Sequence, residues 1–82
     1  QVTMYSREYC PYCDNAKILL ASKGVVYQEI DLDEEPQLLT EMISLTSRRT
    51  VPQIIINGEP VGGCDDIMAL DRAGKLDKLL GI

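Results

Sequence analysis

Apolar and polar residues follow two different spacings in the first third of the chain. Residues 2–5 are a short β-prone run, whereas residues 11–22 place apolar side chains at helical spacing and end before Gly24. A second β-prone run covers residues 25–30. A helix that links two short strands predicts a right-handed crossover between parallel strands, so we expect the chain to open as a β-α-β unit.

The rest of the chain predicts a second helix, a hairpin and two more helices. The second amphipathic helix is predicted over residues 36–45, directly after three acidic residues that suit a helix start. Asn57-Gly58 stands between the apolar runs 53–56 and 59–61, which is a strong signal for an antiparallel hairpin. The last helices are predicted over residues 64–73 and 76–80.

This order of strands and helices places the chain in the α/β class. A β-α-β-α unit followed by β-β-α builds a four-stranded mixed β-sheet with helices on both faces. A length of 82 residues leaves no room for a second core. A single domain over residues 1–82 is therefore expected to carry the whole function.

Charge and hydropathy exclude two classes of partner. With 13 acidic against 8 basic residues the formal net charge is −5, which repels phosphate backbones, so no nucleic-acid partner is expected. No apolar run approaches the roughly 20 residues of a membrane span, so we expect a soluble protein without membrane association. The opening Gln-Val-Thr favours a trimmed N-terminus over an attached secretion signal.

The three cysteines must carry any covalent chemistry, because the chain has no histidine. Without an imidazole, Ser-His-Asp catalysis, Cys-His catalysis and histidine-containing zinc sites are all excluded. An odd number of cysteines, two of them only three positions apart, is untypical of a secreted disulfide framework. We therefore expect a reducing compartment and predict a cytoplasmic location.

Cys10 stands where the first predicted strand gives way to a helix, beside free N–H groups and the positive end of the helix dipole. Lowering a thiol pKa of about 8.5 by about 3 units requires about 4 kcal/mol, and the dipole supplies only about 0.3–1 kcal/mol. Hydrogen bonds from the N–H groups of Tyr12 and Cys13 are expected to supply most of the rest, with Arg7 nearby. Cys13 lies one helical turn away and is the expected resolving thiol.

A structural alternative for this spacing is a buried cysteine pair or half of a zinc site. A zinc site of four ligands needs one more thiolate or imidazole than Cys10, Cys13 and Cys64 provide. Pro11 would also deprive such a hook of an N–H donor. No metal is therefore expected.

Three motifs resemble the glutaredoxin family in order and spacing, over nearly the whole chain: Cys10-Pro-Tyr-Cys13, Thr50-Val51-Pro52 and Gly62-Gly63-Cys64-Asp65. The resemblance implies a thioredoxin fold with a cis peptide bond before Pro52. It implies a monomeric, glutathione-dependent thiol-disulfide oxidoreductase whose Cys10 and Cys13 reduce protein disulfides and glutathione mixed disulfides. The expected partners are glutathione, as reducing co-substrate, and proteins that carry disulfides or bound glutathione.

The resemblance also implies a glutathione-binding site, made of Arg7, Tyr12, Arg48, Thr50, Val51, Pro52, Gly63, Cys64 and Asp65. The backbone of Val51 would pair with the glutathione cysteine like an added strand. N–H groups of residues 63–65 would hold the α-carboxylate of the γ-glutamyl end, and the Asp65 carboxylate would face its ammonium group. Arg7 and Arg48 would surround the glycine carboxylate.

Several of these residues also have a plainer interpretation. Asp65 and its neighbours can serve only as a helix cap, and Arg48 can be a solvated surface residue. Arg49 is either a further contact or surface, and the sequence does not separate the two. Cys64 is expected to be a small residue at a helix start without a redox role.

Two functional alternatives stay open at this point. One is a redoxin reduced by thioredoxin reductase, against which stand the absence of tryptophan and the presence of Arg7 and residues 63–65. The other is a binding module in which two chains and two glutathiones hold an iron-sulfur cluster through Cys10. Pro11 disfavours this second alternative, because cluster-binding relatives generally lack a proline at that position.

Overall fold

Short strands alternate with helices along the chain. The computed structural model describes residues Gln1–Ile82. Its elements are β1 (Val2–Ser6), α1 (Pro11–Ser22), β2 (Gln28–Asp31), α2 (Leu39–Thr46), β3 (Gln53–Ile56), β4 (Glu59–Gly62), α3 (Cys64–Arg72) and α4 (Leu76–Leu80). A short 3-10 helix, Pro36–Leu38, leads into α2. None of these helices is both long enough and apolar enough to span a membrane.

The four strands form one mixed sheet in the order β2-β1-β3-β4. β1 and β2 are parallel, with Tyr5 opposite Ile30, because α1 carries the chain back to the end of the sheet at which β1 began. β3 is antiparallel to both β1 and β4. The predicted β-α-β opening and the mixed four-stranded sheet are thus confirmed.

Alternation along β1 divides the core between the two faces of the sheet. Val2 and Met4 lie in one cluster with residues of α1, α3 and α4, completed by Ala16, Leu20, Ile54, Ile56, Cys64, Ile67 and Leu76. Tyr5 points to the other face, where it packs with Ile30, Leu32 and Met42 of α2. Helices therefore cover both faces of the sheet, and the α/β fold class is confirmed.

The hairpin between β3 and β4 turns at Asn57-Gly58, as predicted. Both residues have positive φ, 51° at Asn57 and 84° at Gly58. These are the angles of a turn whose twist matches that of the flanking strands, and asparagine followed by glycine adopts them at the lowest cost. The turn fixes β4 beside β3, and β4 leads directly into α3.

β2 begins at Gln28, later than the predicted start at residue 25. The N–H of Val25 is already used, because it donates to the carbonyl oxygen of Leu20 at 3.1 Å and so closes the C-terminus of α1. Gly24, with a φ of 70°, makes that closure possible. Val26 then passes through solvent with 92% of its surface exposed. The apolar residues from Val25 onward predicted an earlier start of the strand. That start is wrong because the N–H of Val25 bonds to the end of α1 and is not available to the sheet.

Candidate active site

The connection between β1 and α1 places Cys10 at the N-terminus of the helix. Cys10 is the N-cap, with an extended backbone at φ −114° and ψ 98°, and Pro11 occupies the first turn, where its missing N–H has no helical partner to lose. The Cys10 sulfur accepts a hydrogen bond from the backbone N–H of Cys13 at 3.1 Å. The sulfur thus occupies the place of the side-chain oxygen in an ordinary N-cap, where negative charge is stabilised.

The two cysteines of the pair differ in their exposure. Cys10 and Cys13 are joined by a disulfide, with their Cα atoms 5.1 Å apart. The side chain of Cys13 is fully buried, whereas Cys10 is partly exposed. Cys10 is therefore accessible from solvent, whereas the side chain of Cys13 is not.

The loop before β3 faces the cysteine pair. The peptide bond between Val51 and Pro52 is cis, as the family resemblance implied. The carbonyl oxygen of Val51 lies 4.0 Å from the sulfur of Cys10. Polar backbone atoms of this loop are therefore within reach of a molecule bound to the Cys10 sulfur.

A groove of about 400 Å³ lies between the start of α1, the loop before β3 and the N-terminus of α3. It is lined by Tyr12, Arg48, Thr50, Val51, Pro52, Gln53, Gly63, Cys64, Asp65 and Asp66. The structure thus gathers into one groove residues that are as many as 54 positions apart in the chain, from Tyr12 to Asp66 (66 − 12). Of the residues predicted to bind glutathione, only Arg7 does not line the groove.

Asp66 organises the wall of the groove at the start of α3. Its Oδ2 accepts hydrogen bonds from the N–H of Gly63 and from Nη1 of Arg48, both at 2.8 Å. The Gly63 N–H, followed by Arg48, holds the pKa of the Asp66 carboxyl below its usual value. Asp65, the acid expected to act here, is exposed and makes neither bond. Its side chain is therefore available to a bound molecule.

Two glycines allow β4 to pass close to the rest of the groove. Gly62 has a φ of 104°, and a Cβ added there would collide with the Asp66 carboxylate. A Cβ on Gly63 would stand 3.0 Å from the carbonyl oxygen of Pro52, tighter than side chains normally tolerate. Gly62 thus leaves room for the Asp66 carboxylate, and Gly63 allows the start of α3 to lie close to the loop before β3.

Arg7 lies outside the groove, in contrast to the expected arginine pair around a carboxylate. Its Nη1 donates to Oδ1 of Asp33 at 3.1 Å, and both side chains are about two-fifths exposed. Asp33 lies in the turn that follows β2. Since 26 positions separate the two residues, the sequence offered no sign of this ion pair.

Gln53 and Asp66 line the groove but were not predicted as site residues. Asp66 stands at the third position of α3, where an acid commonly accepts from the N-cap N–H, so this cap was recognisable from the sequence. Gln53 is 1% exposed, and its Nε2 donates to Oγ1 of Thr50 at 3.3 Å. Its Oε1 is buried without a partner in the chain. No sequence signal distinguished it from the apolar strand around it.

Cys64 is the third cysteine and belongs to the core. It is 4% exposed, and its sulfur lies 3.9 Å from the sulfur of Met68. Burial, and secondarily the negative charge of Asp65, raises the pKa of the Cys64 thiol. A buried, protonated thiol is a poor nucleophile. This environment accords with the expected structural role, which stays a prediction.

A second cavity, of about 370 Å³, lies on the α2 side of the sheet and contains no cysteine. Tyr5 and Glu41 meet there, with the tyrosine hydroxyl as donor to the carboxylate. Burial, followed by Glu41, raises the pKa of Tyr5 to about 12. The hydroxyl therefore stays protonated at neutral pH, and this cavity contains no thiol.

Comparison with known proteins agrees with this geometry. The sequence model of the family described as Glutaredoxin matches residues 2–61, which contain the cysteine pair and the loop before β3. The chain belongs to the glutaredoxin family. It is accordingly a thiol-disulfide oxidoreductase, as predicted, and the pair Cys10 and Cys13 is the dithiol of a glutaredoxin.

Similar glutaredoxins span almost the same length. Glutaredoxin 3 of Escherichia coli K12 is 52% identical over 79 residues, which cover 96% of this chain and 95% of that protein. A glutaredoxin of Pseudomonas aeruginosa is 53% identical over 79 residues, which cover 96% and 94%. The buckwheat glutaredoxin-glutathione complex is 37% identical, with a TM-score of 0.91 over 98% of this chain and 76% of that chain. The predicted thioredoxin fold is thereby confirmed.

Replacing Asp66 tests its role as the cap of α3. Asp66→Ala should lower the free energy of unfolding by about 1 kcal/mol at pH 7, because the Gly63 N–H loses its partner. Since the pKa of Asp66 is lowered in the folded state, its stabilisation is complete above about pH 4 and disappears as pH falls through the folded value. Urea unfolding at pH 7 and pH 3 measures both effects.

Asp65→Ala is the matched control, since it removes the neighbouring acid of the same helix turn. It should be clearly less destabilising, because Asp65 has no hydrogen bond to lose and only its interaction with the helix dipole disappears. Equal losses of stability in the two variants at pH 7 would contradict the assignment of the cap to Asp66.

Proposed function

We propose that residues 1–82 form a single glutaredoxin domain in which Cys10 is the nucleophile and Cys13 the resolving thiol. This proposal rests on the different solvent exposure of the two cysteines. Cys10 is partly exposed at the N-terminus of α1 and beside the groove, whereas Cys13 is fully buried. A substrate disulfide therefore reaches one sulfur only, and the other acts after an intermediate has formed.

The reaction runs in two thiol-disulfide exchanges. In the first, the Cys10 thiolate attacks one sulfur of the substrate disulfide, a bond forms between them, and the second substrate sulfur leaves as a thiolate that takes up a proton. In the second, one route is attack of Cys13 on the Cys10 sulfur, which releases the bound group as a thiol. The other route, for a Cys10–glutathione disulfide, is attack of a second glutathione thiolate on the glutathione sulfur, which forms glutathione disulfide and frees the Cys10 thiolate. When Cys13 attacks, the product is the Cys10–Cys13 disulfide, and two glutathione molecules reduce it while becoming glutathione disulfide.

The groove is the proposed binding site of glutathione. The Val51 backbone, 4.0 Å from the Cys10 sulfur, would hold the cysteine of the tripeptide as an added strand holds its neighbour. The first N–H groups of α3 suit its α-carboxylate, and the exposed Asp65 carboxylate suits its ammonium group. Thr50 and Pro52 would shape the wall, and Tyr12 the rim. The similar buckwheat glutaredoxin was solved as a complex with glutathione, which supports glutathione as the ligand.

Arg48 is the proposed partner of the glycine carboxylate of glutathione. It lines the groove, and its side chain is 51% exposed although Nη1 is paired with Asp66. A guanidinium has five N–H donors, so one bond to Asp66 leaves others free for a second carboxylate. Arg7 is held by Asp33 outside the groove, and its predicted contact with glutathione stays a prediction.

The remaining assignments follow from this chemistry. A glutaredoxin that uses glutathione operates where that thiol is abundant and reduced, so the cytoplasm is the proposed location. The proposed partners are proteins with disulfides or bound glutathione. The protein is proposed to act on them as a monomer. The net charge of −5 gives no attraction to nucleic acid.

Serine replacements of the two cysteines test the assigned roles. Cys10→Ser should abolish every reduction, because a serine hydroxyl stays protonated at neutral pH and cannot attack sulfur. Cys13→Ser should keep substantial activity on a small glutathione mixed disulfide, since free glutathione can resolve the intermediate. Its activity on an intramolecular protein disulfide should fall much further. An assay coupled to glutathione reductase measures both activities.

Thermal melts of both variants serve as the control for folding. A disulfide that served only to stabilise the fold would need both sulfurs equally, so the two replacements would then cause similar losses of stability and of activity. Equal loss of activity on the glutathione mixed disulfide in two folded variants would contradict the assigned roles.

A matched pair of arginine variants tests the carboxylate contact. Arg48→Ala should raise the KM for a glutathionylated peptide about fivefold, equivalent to about 1 kcal/mol, with a smaller change in kcat. The effect should shrink as salt is added. Arg7→Ala removes the same charge outside the groove and should change KM less. An unchanged KM in Arg48→Ala at low salt would remove Arg48 from the site, and an equal increase in Arg7→Ala would favour a clamp of both arginines.

A further inference from the structure

Tyr9 is the most exposed large apolar side chain, at 98%, and it directly precedes Cys10. Its backbone lies in the left-handed region, with φ at 53°. That region is unfavourable for a bulky residue, so the conformation persists only where its surroundings impose it. The Tyr9 side chain does not pack in the core and does not line the groove, so neither core packing nor the groove accounts for an aromatic residue at this position.

The segment before Tyr9 is tied to the end of β2. The Glu8 N–H donates to Oδ2 of Asp33 at 2.8 Å, and Arg7 donates to Oδ1 of the same carboxylate at 3.1 Å. The Asp33 N–H in turn donates to Oδ1 of Asp31 at 2.8 Å. These contacts fix the backbone on one side of Tyr9, and α1 fixes it on the other. The ring is therefore presented to solvent from an anchored backbone.

A polypeptide joined to Cys10 must pass close to this ring. A disulfide holds its two Cα atoms about 4.4–6.8 Å apart, and the Tyr9 Cα lies about 3.8 Å from that of Cys10. The residues next to the linked cysteine of a substrate are displaced by the same about 3.8 Å. Their side chains are consequently within reach of the Tyr9 ring. Glutathione bound in the groove would lie against Tyr12, Val51 and Asp65, and Tyr9 does not line that groove.

The surface around Tyr9 is negatively charged. Carboxylate oxygens of Glu8, Asp31 and Glu34 lie within 4.8 Å of one another, and Glu8 and Asp31 are engaged in no ion pair. Arg7 makes its single ion pair with Asp33. Glu8 directly precedes Tyr9 and belongs to this acidic cluster, so a lysine or arginine beside the ring would meet the negative face of a tyrosine in a negatively charged surrounding.

We propose that Tyr9 is a specificity residue for polypeptide substrates, and that it selects a basic residue adjacent to the substrate cysteine. This inference rests on the proposed nucleophilic role of Cys10. Tyr9 then separates polypeptides from glutathione: the groove serves the tripeptide, and the ring with its acidic surroundings serves the protein that is joined to the same sulfur.

An equilibrium exchange isolates this contact from catalysis. The Cys13→Ser chain is first converted to the mixed disulfide of Cys10 with glutathione. A peptide thiolate then attacks the Cys10 sulfur, the bond to glutathione breaks, glutathione leaves as a thiolate that takes up a proton, and a Cys10–peptide disulfide forms. Two peptides are used, with sequences Ala-Cys-Lys-Ala and Ala-Cys-Ser-Ala and both ends blocked. Mass spectrometry of the intact protein gives each exchange constant.

The expected result is a preference for the lysine peptide that depends on the ring. The ratio of the two exchange constants should fall about fivefold in Tyr9→Ala, equivalent to about 1 kcal/mol. It should persist in Tyr9→Phe and decrease in Glu8→Gln and at high salt. Val26→Ala, which removes another apolar side chain that is 92% exposed, is the matched control and should leave the ratio unchanged. Comparing this ratio between the parent and each variant cancels the intrinsic difference between the two peptide thiols, because that difference is the same for every chain.

An equal ratio in the parent and in Tyr9→Ala would overturn the proposal while leaving the function intact. A parent chain that forms no mixed disulfide with glutathione at Cys10 would instead contradict the proposed function itself. The two failures are therefore distinguishable.

Discussion

The hydrogen bond from the Cys13 N–H to the Cys10 sulfur is the interaction on which the site depends. It makes a sulfur the cap of a helix, so the same contact begins α1 and stabilises negative charge on that sulfur. The bond also sets the two cysteines one turn apart, with Cys10 at the surface and Cys13 in the core. Fold and chemistry thus share one local geometry, and the rest of the molecule holds this helix end in place.

The sheet supplies that support from two directions. β1 leads the chain to Cys10, and the loop before β3 brings the Val51 carbonyl oxygen to 4.0 Å from the Cys10 sulfur. α3 closes the groove from the far side, where Asp66 joins the Gly63 N–H to Arg48. Each support arises from a different part of the sequence, and the loop before β3 and the start of α3 both line the groove.

Local signals in the sequence predicted most of the fold, because they act over a few residues. Pro11 and the spacing of apolar residues predicted α1 to its observed ends, and Asn57-Gly58 predicted the hairpin. Side-chain pairing over long distances was not predictable. The pairing of Arg7 with Asp33 depends on where the turn after β2 lies, and Gln53 is buried only through its place in the sheet. The position of Asp66 in α3 marked it as a cap, whereas its second bond, to Arg48, depends on the approach of a distant part of the chain.

From the position of Cys10 at the N-terminus of α1 we expect the reduced thiol to be ionised at neutral pH, and alkylation tests this most directly. The reduced chain is treated with iodoacetamide from pH 4 to pH 9, and labelling of each cysteine is followed by mass spectrometry. We expect Cys10 to be labelled rapidly at pH 6 and its labelling rate to reach a plateau below pH 7, while buried Cys64 reacts slowly at every pH. Labelling of Cys10 that rises only above about pH 8, as for an unperturbed thiol, would contradict the account.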